Sequence, residues 1–198
     1  MRKGELARQT ILHRAVQLGS KVGLSGLTIG RLAEDLGRSK SGVFANFQSK
    51  EALQAETLRF AADSFRDAVI RPALKKPRGE ERVRALFSMW LDWPKYDPLQ
   101  GGCFFVAAAS ELDDRPGPLR SLLVELQSGW LELLARTVRF AVEKGDFHPG
   151  VDAEQFAHDM YGVMLAFHHA SRLLGDQKAE ARARKSFEAL LRAASSSS

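Results

Sequence analysis

The stretch from Thr28 to Lys50, TIGRLAEDLGRSKSGVFANFQSK, constrains this chain more than any other. Ile29, Leu32, Ala33 and Leu36 recur at helical spacing, Thr28 stands just before them as an N-cap, and Gly37 supplies the positive-φ residue that stops the turn. A second helix start follows at once. Ser39 can cap it, with Val43, Phe44 and Phe47 pointing into a core and Arg38, Lys40, Ser41 and Asn46 left on the other side. Two short helices around a glycine turn, the second with one polar face, form a helix-turn-helix whose second helix has the pattern of a recognition helix.

The charge distribution agrees. The net charge of the chain is +5. Residues 1–50 hold nine Lys or Arg against three acids, a balance of +6, whereas the other 148 residues hold 20 basic and 21 acidic side chains, a balance of −1. The positive excess therefore sits on the segment with the helix-turn-helix, which points to a polyanionic partner; a solvated basic face is the plainer account of such a split. With 44% hydrophobic and 27% charged residues, the 198 residues can bury a full core. The longest apolar run, Cys103 to Ala109, is far shorter than the roughly 20 residues of a bilayer span, and Met1-Arg2-Lys3 leads into polar residues, so a cytoplasmic location is expected. Cys103 stands alone, which excludes an intramolecular disulfide and a thiolate metal cluster.

Helical periodicity runs through the rest. Ile11, Ala15, Leu18 and Val22 form one stripe over residues 6–22, which Gly23 ends. Ser49 is a candidate cap for a helix from Lys50 to Ile70, and Pro72 with Lys75 to Gly79 reads as a break. A helix from Glu80 to about Trp93 precedes a loop over residues 94–102; GGCFFVAAASELDD reads as a buried helix closed by Asp113 to Pro118. Leu119 to Val142 gives a long helix, Asp152 with Gln155 resembles a capping box opening another that reaches Leu174, and Ala179, Ala183, Phe187, Leu190 and Ala194 stripe the last. Nothing alternates as a strand would. The expected fold is all-α with about nine helices: a three-helix head at 1–50, a larger helical domain at 51–194 and a polar tail at 195–198.

On these residues the chain resembles the TetR-type (TetR/AcrR) transcriptional regulators. The likeness rests on "TIGRLAEDLGRSKSGVFANFQSKEAL", with its glycine turn, Ser-Lys, aromatic pair Phe44 and Phe47, and Ser49-Lys50-Glu51, and more loosely on "GGCFFVAAASELDDRPGPLR". It implies that Thr28 and Lys50 touch DNA phosphates while Arg38, Ser39, Lys40, Ser41 and Gly42 enter the major groove. Helix starts favour anions, and short or flexible polar side chains at the front of a recognition helix suit base edges. Many members carry a tyrosine where this chain has Phe44 and a histidine where it has Asn46. Phe44 thus has two readings, a DNA contact or a core residue beside Val43.

The resemblance also implies a homodimer through the last two helices, a palindromic operator, and release by a small apolar or amphipathic effector, so that the chain acts as a ligand-responsive repressor. A constitutive DNA-binding protein without effector, or a small-molecule-binding or enzymatic protein with a vestigial head, are the alternatives. Trp90, Trp93, Phe104, Phe105, Trp130, Tyr161, Met164 and His168 are first of all core residues, and are also the candidates for lining an effector cavity. His158 and His169 share a helix face but lie about 16 Å apart along the axis, too far for one metal ion. Asp113 and Asp114 are adjacent and project apart, Cys103 has no histidine partner in view, and no phosphate-binding glycine loop, G-x-S-x-G elbow or HExxH helix occurs. No enzyme, cofactor, metal or membrane partner is expected.

Overall fold

The computed structural model describes residues 3–96, 99 and 101–195; Met1 and Arg2, part of the expected loop at 97, 98 and 100, and residues 196–198 of the expected tail lie outside the described residues. The described elements are α1 (Lys3–Gly26), α2 (Ile29–Asp35), α3 (Lys40–Phe47), α4 (Lys50–Phe65), a π turn (Arg66–Ile70), α5 (Arg71–Leu74), α6 (Glu80–Tyr96), α7 (Phe104–Leu112), α8 (Pro118–Lys144), α9 (Ala153–Arg172) and α10 (Ala179–Ala194). Since α4, the π turn and α5 make one rod over 50–74, the described residues form nine rods and no strand, with one isolated bridge between Phe147 and Ser195.

Four helix starts follow from local chemistry. Thr28 Oγ1 accepts from Arg31 N (3.2 Å), Ser39 Oγ from Gly42 N (3.2 Å), Ser49 Oγ from Ala52 N (3.0 Å) and Asp152 Oδ1 from Gln155 N (2.9 Å). Each satisfies an N–H that has no partner within its own helix. The capping box at Asp152 is only half made, because Gln155 Nε2 turns forward to Asp159 Oδ1 instead of back to the cap.

Several boundaries differ from the periodicity. Gly23 does break α1, at φ 76° and ψ 165°, but one further turn follows to Gly26. The rod 50–74 continues through Pro72, where a break was expected. The π turn shifts the hydrogen-bond register there, and Pro72 falls in the first turn of α5, where its missing N–H costs least. Helix α6 likewise runs past Trp93 through Pro94 to Tyr96. On α10, Leu191 rather than Leu190 completes the buried stripe, being four residues after Phe187.

Contacts divide the chain into two units, Met1–Phe65 with Asp97–Leu126, and Arg66–Tyr96 with Gln127–Ser198. This division groups residues by what packs on what, whereas a division at 50/51 groups them by expected task. In the first unit, Ile11, Leu12 and Ala15 of α1 meet Leu27, Ile29, Leu32 and Ala33, then Val43 and Phe47 of α3 and Leu53 of α4, in one buried cluster. Phe104 and Phe105 of α7 are buried in this unit, Phe105 edge-on to Phe65 with centroids 6.1 Å apart. In the second unit, Phe87 stacks on Phe187 at 3.9 Å, and Trp90, Trp93, Trp130, Met160 and Met164 are buried.

Asp146 joins two helix ends of the second unit. Its Oδ2 accepts from Glu80 N (2.9 Å), at the start of α6, and from Lys144 Nζ (3.1 Å). The Glu80 N–H first, then Lys144, hold its carboxyl below the ordinary carboxylate value. A lowered folded value means stability that is present above the unfolded value of about 3.9 and is lost as pH falls through the folded one. Asp146→Ala should therefore cost about 1 kcal/mol at neutral pH, the usual scale of a helix-start bond. Urea midpoints of the two proteins should converge as pH falls into the carboxylate range; a gap that widens there would contradict this.

Candidate nucleic-acid interface

Val43 and Phe47 are the buried residues of α3, and they fix which face of that eight-residue helix looks outward. Arg38, Ser39, Lys40, Ser41 and Gly42 are all exposed, as is Lys50 in the first turn of α4. Thr28 is half-buried, its hydroxyl committed to the α2 cap. Ser41 Oγ donates to Ser39 Oγ (3.3 Å), so the two hydroxyls stand together at the front of the helix. Asn46 is half-buried rather than free on the polar face, and its Nδ2 donates to Gly42 O (2.8 Å).

Phe44 is corrected by the structure. It is 49% exposed and does not join Val43 and Phe47 in the core. A helix that packs through positions i and i+4 turns position i+1 about 100° aside, and α3 is too short to bury a second flank. The benzyl group therefore lies with the cationic and hydroxyl side chains. Gln48, at φ 62°, ends α3 in the left-handed region with its N–H on Phe44 O (2.8 Å). Sequence reading missed it because a glycine or asparagine is the usual signal there.

Two of the nearby acids, Asp35 and Glu56, are taken by arginines of α1. Arg14 pairs with Asp35, whose hydrogen bond and charge raise the Arg14 pKa, and Arg8 pairs with Glu56 while lying over the Phe47 ring. Among the described residues, Arg31, Arg38, Lys40 and Lys50 take part in no ion pair. Four cations around three helix starts are thus available to an outside anion.

The junction between α1 and α2 is bolted by two side chains that periodicity alone did not single out. Glu111 of α7 accepts from Leu24 N and Ser25 N, both at 2.7 Å. The left-handed φ of Gly23 opens these amides, and a Cβ there would lie 2.2 Å from Glu111 Oε1, so glycine is needed for space as well as for conformation. Gln54 of α4, buried, donates from Nε2 to Leu24 O and Leu27 O. The Glu111 contact spans 87 residues and has no short-range signature.

The candidate cavity residues fall in both units. Phe104 and Phe105 belong to the first unit, and Trp90, Trp93, Trp130, Tyr161, Met164 and His168 to the second. Trp90, Trp93, Trp130 and Met164 are buried core; Tyr161, whose hydroxyl accepts from Gln127 Nε2 (3.1 Å), lines a concavity of about 290 Å³ between α8 and α9 with Leu131, Glu132 and His158. Burial first, then Arg172 and His169, lower the His168 pKa and favour its neutral form. Among the described residues no three His, Cys, Asp or Glu side chains gather as a metal site, and Cys103, buried at the start of α7, has its thiol pKa pushed up by that burial.

A helix-turn-helix with an exposed cationic front, joined to a larger all-helical part, defines a class of DNA-binding regulators. Residues 11–57 match the family model described as bacterial regulatory proteins, tetR family, and residues 79–187 match the tetracyclin repressor-like C-terminal domain. The chain belongs to the TetR family of transcriptional regulators. Comparison with curated protein sequences finds no match. Among solved structures, a TetR-family transcriptional regulator from Cytophaga hutchinsonii is 18% identical with a TM-score of 0.85, over 100% of this chain and 99% of that one. A putative transcriptional regulator from Saccharomonospora viridis in complex with choline is 20% identical with a TM-score of 0.82, over 98% and 100%. AibR in complex with isovaleryl coenzyme A and operator DNA is 20% identical with a TM-score of 0.74, over 93% and 97%. At these identities the likeness is one of fold.

Glu111→Ala leaves the Leu24 and Ser25 amides without their carboxylate, which should destabilise the protein by about 1 to 3 kcal/mol and speed hydrogen exchange at those two amides. Exchange as slow as in the parent would show that the contact does not hold the junction.

Proposed function

We propose that the protein is a ligand-responsive transcriptional repressor that binds a palindromic operator as a homodimer. The observation that carries this reading is the outward face of α3. Its packing residues are inward, its caps are made, and Arg38, Ser39, Lys40, Ser41 and Gly42 stand exposed with no ion pair among the described residues. In this reading Arg38 and Lys40 pair with base edges, the hydroxyls of Ser39 and Ser41 serve either base or phosphate, and Gly42 lets the helix approach closely. Lys50 and the start of α2 at Thr28 hold phosphates. Phe44, being exposed, suits apolar contact with a thymine methyl, and Asn46 supports α3 from behind.

Dimerisation is supported by an apolar outer face on α9. His158, Gly162, Leu165, Ala166, His169 and Leu173 recur at helical spacing and are exposed, with Leu173 72% and Leu174 67% accessible. On α10, Ser186, Ala189 and Ala193 present small exposed residues at the same period. Small and apolar faces on adjacent antiparallel helices suit a twofold four-helix packing, and a dimer doubles the few contacts that one short recognition helix makes. An effector is supported by the relatives whose structures hold choline or isovaleryl coenzyme A. A coupling of about 1 to 3 kcal/mol between effector and DNA is of ordinary size. No helix among the described residues is long and apolar enough to cross a membrane, which accords with the cytoplasmic location that a DNA partner requires.

Two experiments test this reading. On a selected operator, Lys40→Ala should bring affinity toward that for scrambled duplex, whereas Lys50→Ala should weaken both alike and lower the salt slope by about 1; if Lys40→Ala leaves both affinities unchanged, the base-reading role fails. Leu173→Glu should give monomers by sedimentation at micromolar concentration where the parent is a dimer. A parent that sediments as a monomer would remove the dimer model.

A further inference from the structure

The first unit carries a second cluster of cations outside the helix-turn-helix. A cavity of about 270 Å³ is lined by Lys50 of α4, Ser25 after the α1 kink, Arg115 in the turn after α7, and Arg120 in the first turn of α8. All four are exposed. Glu51 is the one acid in the lining. Among the described residues Lys50, Arg115 and Arg120 take part in no ion pair, although acids stand close by in sequence. Glu111 is spent on the Leu24 and Ser25 amides, and Asp113 Oδ1 accepts from Asp114 N (2.9 Å).

The arginines are held, not loose. Arg115 Nη1 donates to Ser25 Oγ (3.0 Å), and Arg120 Nε donates to Asp113 O (3.0 Å). Each guanidinium carries five N–H donors, so most remain for another acceptor. Three cations against one carboxylate leave a net positive charge around this small cavity, and an anion there relieves the repulsion among the cations.

We propose that Arg115 and Arg120 extend the DNA contact beyond the helix-turn-helix, binding the phosphate backbone beside Lys50. This rests on the reading of the protein as a DNA-binding regulator. Continuity favours DNA as the occupant. Lys50, the phosphate anchor of that reading, lines the same cavity, and Ser25, which positions Arg115, lies three residues before Thr28. Duplex DNA presents a closely spaced row of charges along its axis, so a backbone engaged at Thr28 and Lys50 offers neighbouring phosphates to the next cations in line. Guanidinium groups bind phosphate oxygens in a bidentate fork. With no base edge involved, the contact adds affinity to all sequences alike.

The test is the salt dependence of binding to a fluorescent random-sequence duplex of roughly two helical turns, for the parent, Lys50→Ala, and the double variant Arg115→Ala with Arg120→Ala. Loss of two phosphate contacts should reduce the slope of log K against log salt by about 2, with several-fold weaker binding to every sequence. The double change to Lys should keep the slope. Should the alanine pair melt early, the double change to Gln, which keeps a neutral donor for Ser25 Oγ, is read in the same way. A slope equal to the parent's, while Lys50→Ala lowers it, overturns this inference and leaves the DNA-binding reading standing. A parent without salt-dependent binding overturns both. Inorganic phosphate that raises the melting temperature of the parent but not of the double variant, with unchanged DNA slopes, would make the cluster a small-anion pocket and overturn the inference as well.

Discussion

Everything proposed for this protein depends on which way α3 faces, and a small buried cluster decides that. Val43 and Phe47 are held between α1, α2 and α4, and their burial turns Arg38, Lys40 and Ser41 outward. The cluster is small enough for each member to count. Truncating one leucine such as Leu32, which is fully buried, is expected to cost about 2 to 5 kcal/mol, a large share of a typical domain's stability. On the polar face Ser39 caps the helix, while Arg38 and Lys40 take part in no ion pair among the described residues and are left to function.

The cluster alone would leave the entry to α2 loose. Glu111 and Gln54 settle it from two other helices by taking backbone groups that the kink at Gly23 leaves open. Electrostatics follows the same economy. Asp35, Glu56 and Glu111 are taken by Arg14, Arg8 and two backbone N–H groups, so these acids do not neutralise the cations of the outer face. The unpaired cations extend from α3 through Lys50 to Arg115 and Arg120.

What was legible in the sequence was local. Thr28, Ser39, Ser49 and Asp152 cap the helices they precede because a cap needs only its own next three residues. The all-helical fold and the helix-turn-helix followed from period and turn chemistry for the same reason. Phe44 was not legible, since hydrophobicity gives no sign of which flank of a short helix finds a partner. Gln48 was hidden because the left-handed end of α3 is tolerated by context and not announced by a glycine. Pro72 and Pro94 read as stops, yet a register shift at the π turn and a position in a last turn let the helices run on. Glu111 and Gln54 act across long stretches of chain, and in sequence they look like ordinary helix formers.

The central claim is that the outward face of α3 reads DNA, twice, about a twofold axis. Repeated selection of a random duplex pool on the purified protein tests this most directly. The account predicts enrichment of an inverted repeat whose half-sites are centred about one helical turn apart. A pool that stays flat through the rounds, while the protein remains folded, would contradict it.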